Sequence, residues 1–276
     1  TVDEEQKYEQ GEVSGKVEKT PVMREFERWN LKKPEHFNQA MMFSASGIEN
    51  EKLKEIADAL VKHHDMLRAV CRNGDVEILP VKESKLYDFY EYDYSKEADK
   101  KNAVREKCTE IQGSIDLRNG PIVKIAVFEL GEEKIMMMCV HHIAIDGVSW
   151  RILGEDYETA LEQQRKGKAI RLNEKTASFI EWSRKLKEYG AKQSKKEKEY
   201  WKEEGKKAAR GKIAGEYELS KPGMQELEFS REVTEILLKK AGNVCGARIE
   251  EVLLGGAAMA IGKITGQKQV AVRIEG

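Results

Sequence analysis

A short apolar run that ends in two histidines constrains the fold of this chain more than any other feature. Residues 136–140 are apolar throughout, which is typical of a strand buried on both faces of a sheet. The run is followed by His141 and His142, then by Asp146-Gly147, and then by an amphipathic segment over residues 149–165 that predicts a helix. The order of buried strand, polar loop and helix therefore places two imidazoles at the end of a core strand.

The remaining hydrophobic periodicity predicts an α/β architecture with a mixed sheet. Asn73-Gly74 is typical of a tight hairpin, because both residues tolerate positive φ. The predicted helices span residues 50–63, 97–112, 149–165, 231–241 and 249–263, and the predicted strands span residues 68–72, 76–80, 122–130, 134–140, 224–229 and 269–274. Residues 1–18 are polar and lack periodicity, so we predict a linker or a poorly ordered end there.

The composition argues against three classes of protein. The 48 basic and 49 acidic side chains leave a formal net charge of -1, so a general basic field for nucleic acid is not expected. The longest apolar run, residues 252–262, falls short of the about 18 residues that span a membrane. The first residues lack the basic and apolar regions of a secretory signal.

The four cysteines form no CxxC pair, so we expect no zinc knuckle or disulfide framework and predict a reducing, cytoplasmic location.

The histidine pair is the candidate for acid–base chemistry. Successive side chains on a strand point to opposite faces, so one ring can face a cleft while the other faces the core. Imidazole changes its protonation near neutral pH and can therefore accept or donate a proton. Asp146 would hold the turn or orient a ring, and Gly147 would allow close approach of a backbone or ligand.

From spacing alone, several interpretations of this cluster stay open. Both histidines could be packing residues with satisfied nitrogens, or one could act as a general acid or base. A metal site is disfavoured because adjacent strand histidines diverge and no third ligand is evident. A triad through Ser149 is disfavoured because nothing in the sequence resembles a nucleophile elbow. A second pair, His63-His64, ends a predicted helix and is interpreted as structural.

Several motifs together resemble the condensation-type domains of nonribosomal peptide synthetases. Residues 141–147 match the HHxxxDG signature of that family, and residues 63–68 match its HHDxLR motif. Further matches cover four segments of the family: the opening segment, the segment that follows it, the DLxxGP segment and the helix that opens the second lobe. In that order they lie at residues 20–26, 36–39, 115–121 and 176–182. Met23 and Glu25 depart from the opening motif. The resemblance extends from about residue 11 to the end of the chain.

Two segments resemble the epimerization branch of this family more than its peptide-bond-forming branch. Val148-Ser149-Trp150 is one, and the final Glu275-Gly276 is similar to the start of the motif EGHGRE. The resemblance implies a chloramphenicol-acetyltransferase-like fold with two lobes and mixed sheets. In that scheme residues 19–175 form a complete first lobe, and residues 176–276 begin a second lobe that is only partial. We therefore expect the sequence to be truncated within the second lobe.

The resemblance also implies roles for individual residues. His142 and Glu275 would be catalytic and act on opposite faces of the substrate's α-carbon. His141 would be structural, and Asp146, at the site beside Gly147, would form an ion pair with Arg68. The reaction implied is inversion, from L to D, of an aminoacyl or peptidyl thioester.

The implied partners are a peptidyl carrier domain and neighbouring synthetase domains. The carrier would supply the substrate on its own phosphopantetheine arm, so no cofactor bound by this chain is expected. Two alternatives stay open. A condensation domain would use His142 to position or deprotonate an acceptor amine, and a degenerate domain would only dock the carrier.

Overall fold

The computed structural model describes residues 8–210 and 226–272. The chain divides into two compact units, residues 1–191 and residues 192–276. Strands and helices of the first unit are, in chain order, β1 (Gly15–Lys16), α1 (Pro21–Arg28), β2 (Asn38–Ser44), α2 (Asn50–His63), β3 (Ala69–Arg72), β4 (Asp75–Ile78), β5 (Asp88–Asp93), α3 (Lys100–Gln112), β6 (Val123–Glu129), β7 (Lys134–His141), α4 (Gly147–Arg165) and α5 (Phe179–Lys192).

A four-stranded mixed sheet carries the core of the first unit. Its strand order is β2-β7-β6-β5; β7 is antiparallel to both neighbours, and β5 is parallel to β6. Side chains of β6 from Val123 to Phe128 are buried, and so are those of β7 from Met136 to His141. The apolar run at the end of β7 is therefore buried on both faces, as its sequence predicts.

Helices α2 and α4 cover this sheet and contact each other. The spacing of Leu53, Ile56 and Leu60 places all three on the buried face of α2. On α4, Tyr157 is buried, and its hydroxyl donates to the Ser44 carbonyl oxygen at 2.9 Å. This bond ties the middle of α4 to the end of β2.

The prediction of a linker or poorly ordered end over residues 1–18 is wrong for residues 15–17. Gly15 and Lys16 form β1, which pairs with β4 in a small sheet of order β1-β4-β3. Val17 is only 1% exposed, and its N–H donates to the Val76 carbonyl oxygen at 2.9 Å. One apolar residue among polar neighbours produces no periodicity, so the sequence pattern misses a strand that tertiary hydrogen bonds stabilise. Residues 1–7 lie outside the described residues.

The tight turn predicted at Asn73-Gly74 is confirmed. Both residues have positive φ, 53° and 80°, and they join β3 to β4. These dihedral angles match the left-handed conformation that two-residue hairpin turns require.

Helix α5 belongs to the first compact unit, although the sequence analysis assigns it to the second lobe. Phe179 and Ile180 pack against the core of the first unit. The Ser183 hydroxyl accepts from the N–H of Glu18 at 3.3 Å, and Lys187 pairs with the Glu18 carboxylate at 2.8 Å. These contacts hold α5 against the first compact unit, which ends at residue 191. The lobe boundary after residue 175 stays a prediction.

The second unit is helical in its described part. Its helices are α6 (Lys195–Arg210), α7 (Arg231–Ile236), α8 (Gly242–Cys245) and α9 (Ile249–Thr265), with a π-helical turn over Leu237–Ala241. The two helices predicted over residues 231–241 and 249–263 are thus confirmed. The strands predicted near 224–229 and 269–274 are not formed by residues 226–229 and 269–272, which lack a partner strand in the described chain. Within the described helices, none has the length and apolarity needed to cross a bilayer.

Candidate active site

The end of β7 sends two neighbouring histidine rings in different directions. His141 is the last residue of β7 and lies opposite Asn38 on β2. Its side chain is 0% exposed, whereas His142, the next residue, is half-buried. The backbone N–H of His142 donates to the Phe37 carbonyl oxygen at 2.9 Å, which holds the chain against β2 just beyond the sheet.

His141 is a core residue with both ring nitrogens engaged. Its Nε2 lies 2.9 Å from the Pro34 carbonyl oxygen, and its Nδ1 accepts the N–H of Ile143 at 3.1 Å. A carbonyl oxygen can only accept, so Nε2 carries the proton and the ring is neutral. Burial is the main cause of a lowered pKa at His141. This placement fits the structural role expected for His141.

His142 is held on three sides. Its ring stacks on Phe37 with centroids 4.8 Å apart and planes 14° apart. Its Nδ1 lies 2.7 Å from the Ile145 carbonyl oxygen, and its Nε2 lies 3.0 Å from Nε2 of Gln39. The Gln39 amide oxygen in turn accepts the indole N–H of Trp150 at 2.9 Å. The ring most suited to proton transfer is therefore oriented by the surrounding protein.

Sequence reasoning missed the roles of Gln39 and Trp150. The sequence analysis names Trp150 only within the segment that resembles the epimerization branch, and it includes Gln39 only within the match over residues 36–39. The available signal was weak: Gln39 is a half-buried polar residue of β2 that lies opposite Val140, one pair from the end of the β2–β7 register. Its neighbour Asn38 is polar as well, so the sequence does not single out Gln39.

Asp146 holds the turn into α4, one of the two roles expected from the residues alone. Its Oδ1 accepts the N–H of Ser149 at 2.7 Å and the Ser149 hydroxyl at 2.6 Å. These hydrogen bonds are the main cause of the lowered pKa of Asp146. An aspartate that caps a helix start satisfies amide groups that would otherwise lack partners.

Gly147 is exposed at the first position of α4. A Cβ added there would meet no heavy atom within 4 Å, so packing within the described part of the chain does not require glycine. The open backbone is compatible with the close approach of a ligand that the sequence analysis expects.

The predicted ion pair between Asp146 and Arg68 is wrong. The Arg68 side chain is 0% exposed, and it pairs with Asp65 through Nη2 and Oδ1 at 2.7 Å. Its other guanidinium bonds go to backbone carbonyl oxygens, namely those of Val13, Val61, Lys62 and Leu79. The five N–H groups of the guanidinium are therefore all used by these acceptors, and none is left for Asp146. Spacing alone could not show that Asp65, three residues earlier, is the partner.

The pair His63-His64 joins α2 to α4. Nε2 of His64 lies 2.8 Å from Oδ2 of the buried Asp156, and burial is the main cause of the lowered pKa of each histidine. Possible metal-ligand atoms of His63, His64 and Asp156 lie within 4.8 Å of one another. The hydrogen bond between His64 and Asp156 links the end of α2 to α4, which is the kind of contact that the structural interpretation expects.

Glu275 lies outside the described residues. Its predicted catalytic role therefore stays a prediction, and the described site consists of His142 with its immediate neighbours.

The chain belongs to the condensation domain family, whose profile matches residues 26–276. Bacitracin synthase 2 of Bacillus licheniformis is 35% identical over 279 residues, which cover 96% of this chain and 10% of the relative. Tyrocidine synthase 1 of Brevibacillus parabrevis is 30% identical over 280 residues, which cover 98% of this chain and 26% of the relative. The chain thus spans only a minor part of the length of these curated relatives, which are nonribosomal peptide synthetases.

Solved structures confirm the predicted fold class. The epimerization domain from the third module of tyrocidine synthetase B matches with a TM-score of 0.76 and 27% identity, covering 95% of this chain and 61% of that one. The first condensation domain of the calcium-dependent antibiotic synthetase has a TM-score of 0.66 and 17% identity, covering 92% and 62%. The fold is therefore the two-lobe mixed α/β fold of condensation and epimerization domains, of which this chain spans about six-tenths.

The neutral state of the buried histidines makes stability depend on pH. The pKa of His141 is lower in the folded chain than its ordinary 6.5, so the unfolded state binds the proton more readily. The stabilising contribution is complete above pH 6.5 and is lost as the pH falls toward the folded pKa. His63 and His64 act in the same direction. The free energy of unfolding, measured with urea, should therefore decrease as the pH is lowered from 7.5 to 5.5.

The matched variants for this experiment are His141→Gln and His36→Gln. The first removes a buried titrating ring and should reduce the pH dependence, whatever it does to stability at pH 7.5. The second changes an exposed histidine and should leave the pH dependence as it is. Wild-type pH dependence retained in His141→Gln would contradict a neutral His141.

A double-mutant cycle tests the corrected partner of Arg68. Replacing the buried Arg68 by Met should destabilise the fold by about 3–5 kcal/mol, because four backbone carbonyl oxygens lose their donor and Asp65 keeps only Lys175 as an ion-pair partner. Combined with Asp65→Asn, the two losses should be non-additive by about 0.5–3 kcal/mol. Combined with Asp146→Asn they should add to within about 0.5 kcal/mol. Coupling between positions 68 and 146, measured by urea unfolding, would restore the rejected ion pair.

Proposed function

We propose that this chain is part of an epimerization domain that inverts the α-carbon of a carrier-bound aminoacyl or peptidyl thioester. The observation that carries the proposal is the half-buried ring of His142, oriented by Gln39, Ile145 and Phe37 at the end of a rigid core strand. The similarity to a solved epimerization domain at 27% identity supports the same assignment.

The chemistry requires proton transfer on two faces of one carbon. A thioester acidifies its α-carbon, because the charge left by the departing proton is delocalised onto the carbonyl oxygen. In our scheme His142 serves one face, and the second face is served by Glu275, which lies outside the described residues. One group accepts the α-proton to give an enolate-like intermediate, and the other returns a proton from the opposite side. Each transfer partner contributes about 10²–10⁴ in rate.

The substrate would arrive on a partner domain. We propose a peptidyl carrier domain that holds the aminoacyl or peptidyl group on its phosphopantetheine arm, with neighbouring synthetase domains supplying that group. No cofactor of its own is then needed by this chain, since the thioester already acidifies the carbon. The cytoplasmic location expected from the cysteines is compatible with this role.

Condensation is the alternative activity, and it agrees with the matched family as well as epimerization does. His142 would then position or deprotonate an acceptor amine that attacks a donor thioester, forming an amide and releasing a thiol. The resemblance of Val148-Ser149-Trp150 and Glu275 to the epimerization branch favours the first proposal. A domain that only docks a carrier would catalyse neither reaction.

Exchange of the α-proton with solvent separates these functions. The full-length natural protein, with its carrier loaded with an aminoacyl or peptidyl thioester, should incorporate deuterium at the α-carbon in heavy water. His142→Ala should slow this exchange about 10²–10⁴-fold, because one proton-transfer group is removed. Glu275→Gln should slow it as well, and His36→Ala, an exposed histidine of the same unit, should not.

Mass spectrometry of the released product measures both deuterium content and chirality. The proposal fails if loaded, folded wild-type protein shows no exchange at all. Amide formation in that case would indicate condensation, and its absence would indicate a docking role.

A further inference from the structure

A line of hydrogen bonds runs from the start of α4 to the candidate base. The Trp150 indole N–H meets the Gln39 amide oxygen, the Gln39 amide nitrogen meets Nε2 of His142, and Nδ1 of His142 meets the Ile145 carbonyl oxygen. We infer that Gln39 and Trp150 are positioning residues that hold His142 in a single neutral tautomer, with its proton on Nδ1 and its lone pair on Nε2.

The donor and acceptor roles along this line follow from its two ends. An indole N–H can only donate, so the group of Gln39 that faces Trp150 must be the amide oxygen. The amide NH₂ of Gln39 then faces Nε2 of His142, 3.0 Å away. Because two donors cannot form a hydrogen bond, Nε2 of His142 carries the lone pair. The Ile145 carbonyl oxygen can only accept, which independently assigns the proton to Nδ1.

Three parts of the fold fix the members of this line. Gln39 lies on β2, directly beside β7 in the sheet, and Trp150 is buried in the first turn of α4. That first turn is held by Asp146, whose backbone oxygen accepts the N–H of Trp150 at 2.9 Å and whose side chain caps the helix. The aspartate of the HHxxxDG motif thus acts on the base through Trp150 and Gln39.

Comparison with His141 shows that the hydrogen-bond partners of each ring set its tautomer. His141 carries its proton on Nε2, toward Pro34, whereas His142 carries its proton on Nδ1. Adjacent imidazoles on one strand end therefore hold opposite tautomers, each assigned by a carbonyl acceptor.

The arrangement has a consequence for proton transfer. Nε2 of His142 is the atom available to accept a substrate proton, and Gln39 donates to it while the ring is neutral. Nε2 has one lone pair, so the Gln39 amide must turn away before Nε2 can take the substrate proton. Gln39 therefore caps the base between turnovers as well as orienting it. This last step rests on the proposed function, but the tautomer itself does not.

Ring nitrogen NMR tests the tautomer directly. The 276-residue chain labelled with ¹⁵N-histidine contains five histidines, and His142→Asn identifies the His142 signals by their loss. At pH 7.5 the wild-type spectrum should show a protonated Nδ1 and an unprotonated Nε2 for His142. His141 should show the reverse pattern in the same spectrum and serves as a check of folding in each variant.

Variants of the line should change the His142 signals in defined ways. Gln39→Glu replaces the donor with a carboxylate, so Nε2 of His142 should become protonated. Gln39→Leu and Trp150→Phe remove or free the amide while the Ile145 carbonyl still accepts from Nδ1, so the share of the Nδ1-protonated tautomer should fall below its wild-type value. Met42→Leu, an exposed side chain on the same strand, should leave the spectrum unchanged. A wild-type His142 with protonated Nε2, or with averaged signals, would overturn the inference.

Kinetics of α-proton exchange in the full-length natural protein separate this inference from the proposed function. Gln39→Leu should lower kcat about tenfold to a hundredfold, as expected for a misaligned catalytic group, with little change in KM because Gln39 does not contact substrate in this scheme. Absent exchange in wild type, with the tautomer as described, would refute epimerization and leave the positioning role intact. Normal exchange in Gln39→Leu would refute the positioning role and leave epimerization intact.

Discussion

The burial of β7 between β2 and β6 is the constraint on which the candidate site depends. Side chains of β7 from Met136 onward are enclosed, so the strand has one register and one orientation. His141 must then point into the core, where its ring is neutral and both nitrogens are bonded. His142, one residue further, leaves the sheet with its ring stacked on Phe37. A rigid strand end is a more exact support for a catalytic group than a free loop would be.

The charged residues Arg68 and Asp146 of the two signature motifs hold local structure in place and do not provide a long-range attraction. Arg68 is fully enclosed, and its N–H groups satisfy four backbone carbonyls and Asp65, so it stabilises the junction between α2 and β3. Asp146 is used at the start of α4, where its carboxylate caps the helix. The charged groups of the two signature motifs are thus satisfied by local partners, and the acid–base candidate His142 has the neutral groups of Gln39 and Ile145 as its hydrogen-bond partners.

The sequence was sufficient for features that depend on local pattern. Alternation at a buried strand end predicted that His141 and His142 would diverge, helical spacing predicted α2 and α4, and Asn73-Gly74 predicted its turn. Features that depend on tertiary partners were not predictable. Val17 enters a strand only because Val76 supplies the hydrogen bond. Arg68 was paired with Asp146 from the sequence, and only the fold shows that it contacts Asp65. Gln39 gains its role from a helix that starts 108 residues after it.

The central claim is that, at the end of β7, His141 points into the core and His142 lies at the candidate site. Chemical modification of the two adjacent histidines tests this claim. Diethyl pyrocarbonate acylates neutral, accessible imidazole nitrogens, and tandem mass spectrometry resolves neighbouring residues. On the folded chain we predict modification of half-buried His142 and none of His141, which is 0% exposed, until urea unfolds the protein. Equal modification of both rings in the folded chain, or modification of His141 first, would contradict the account.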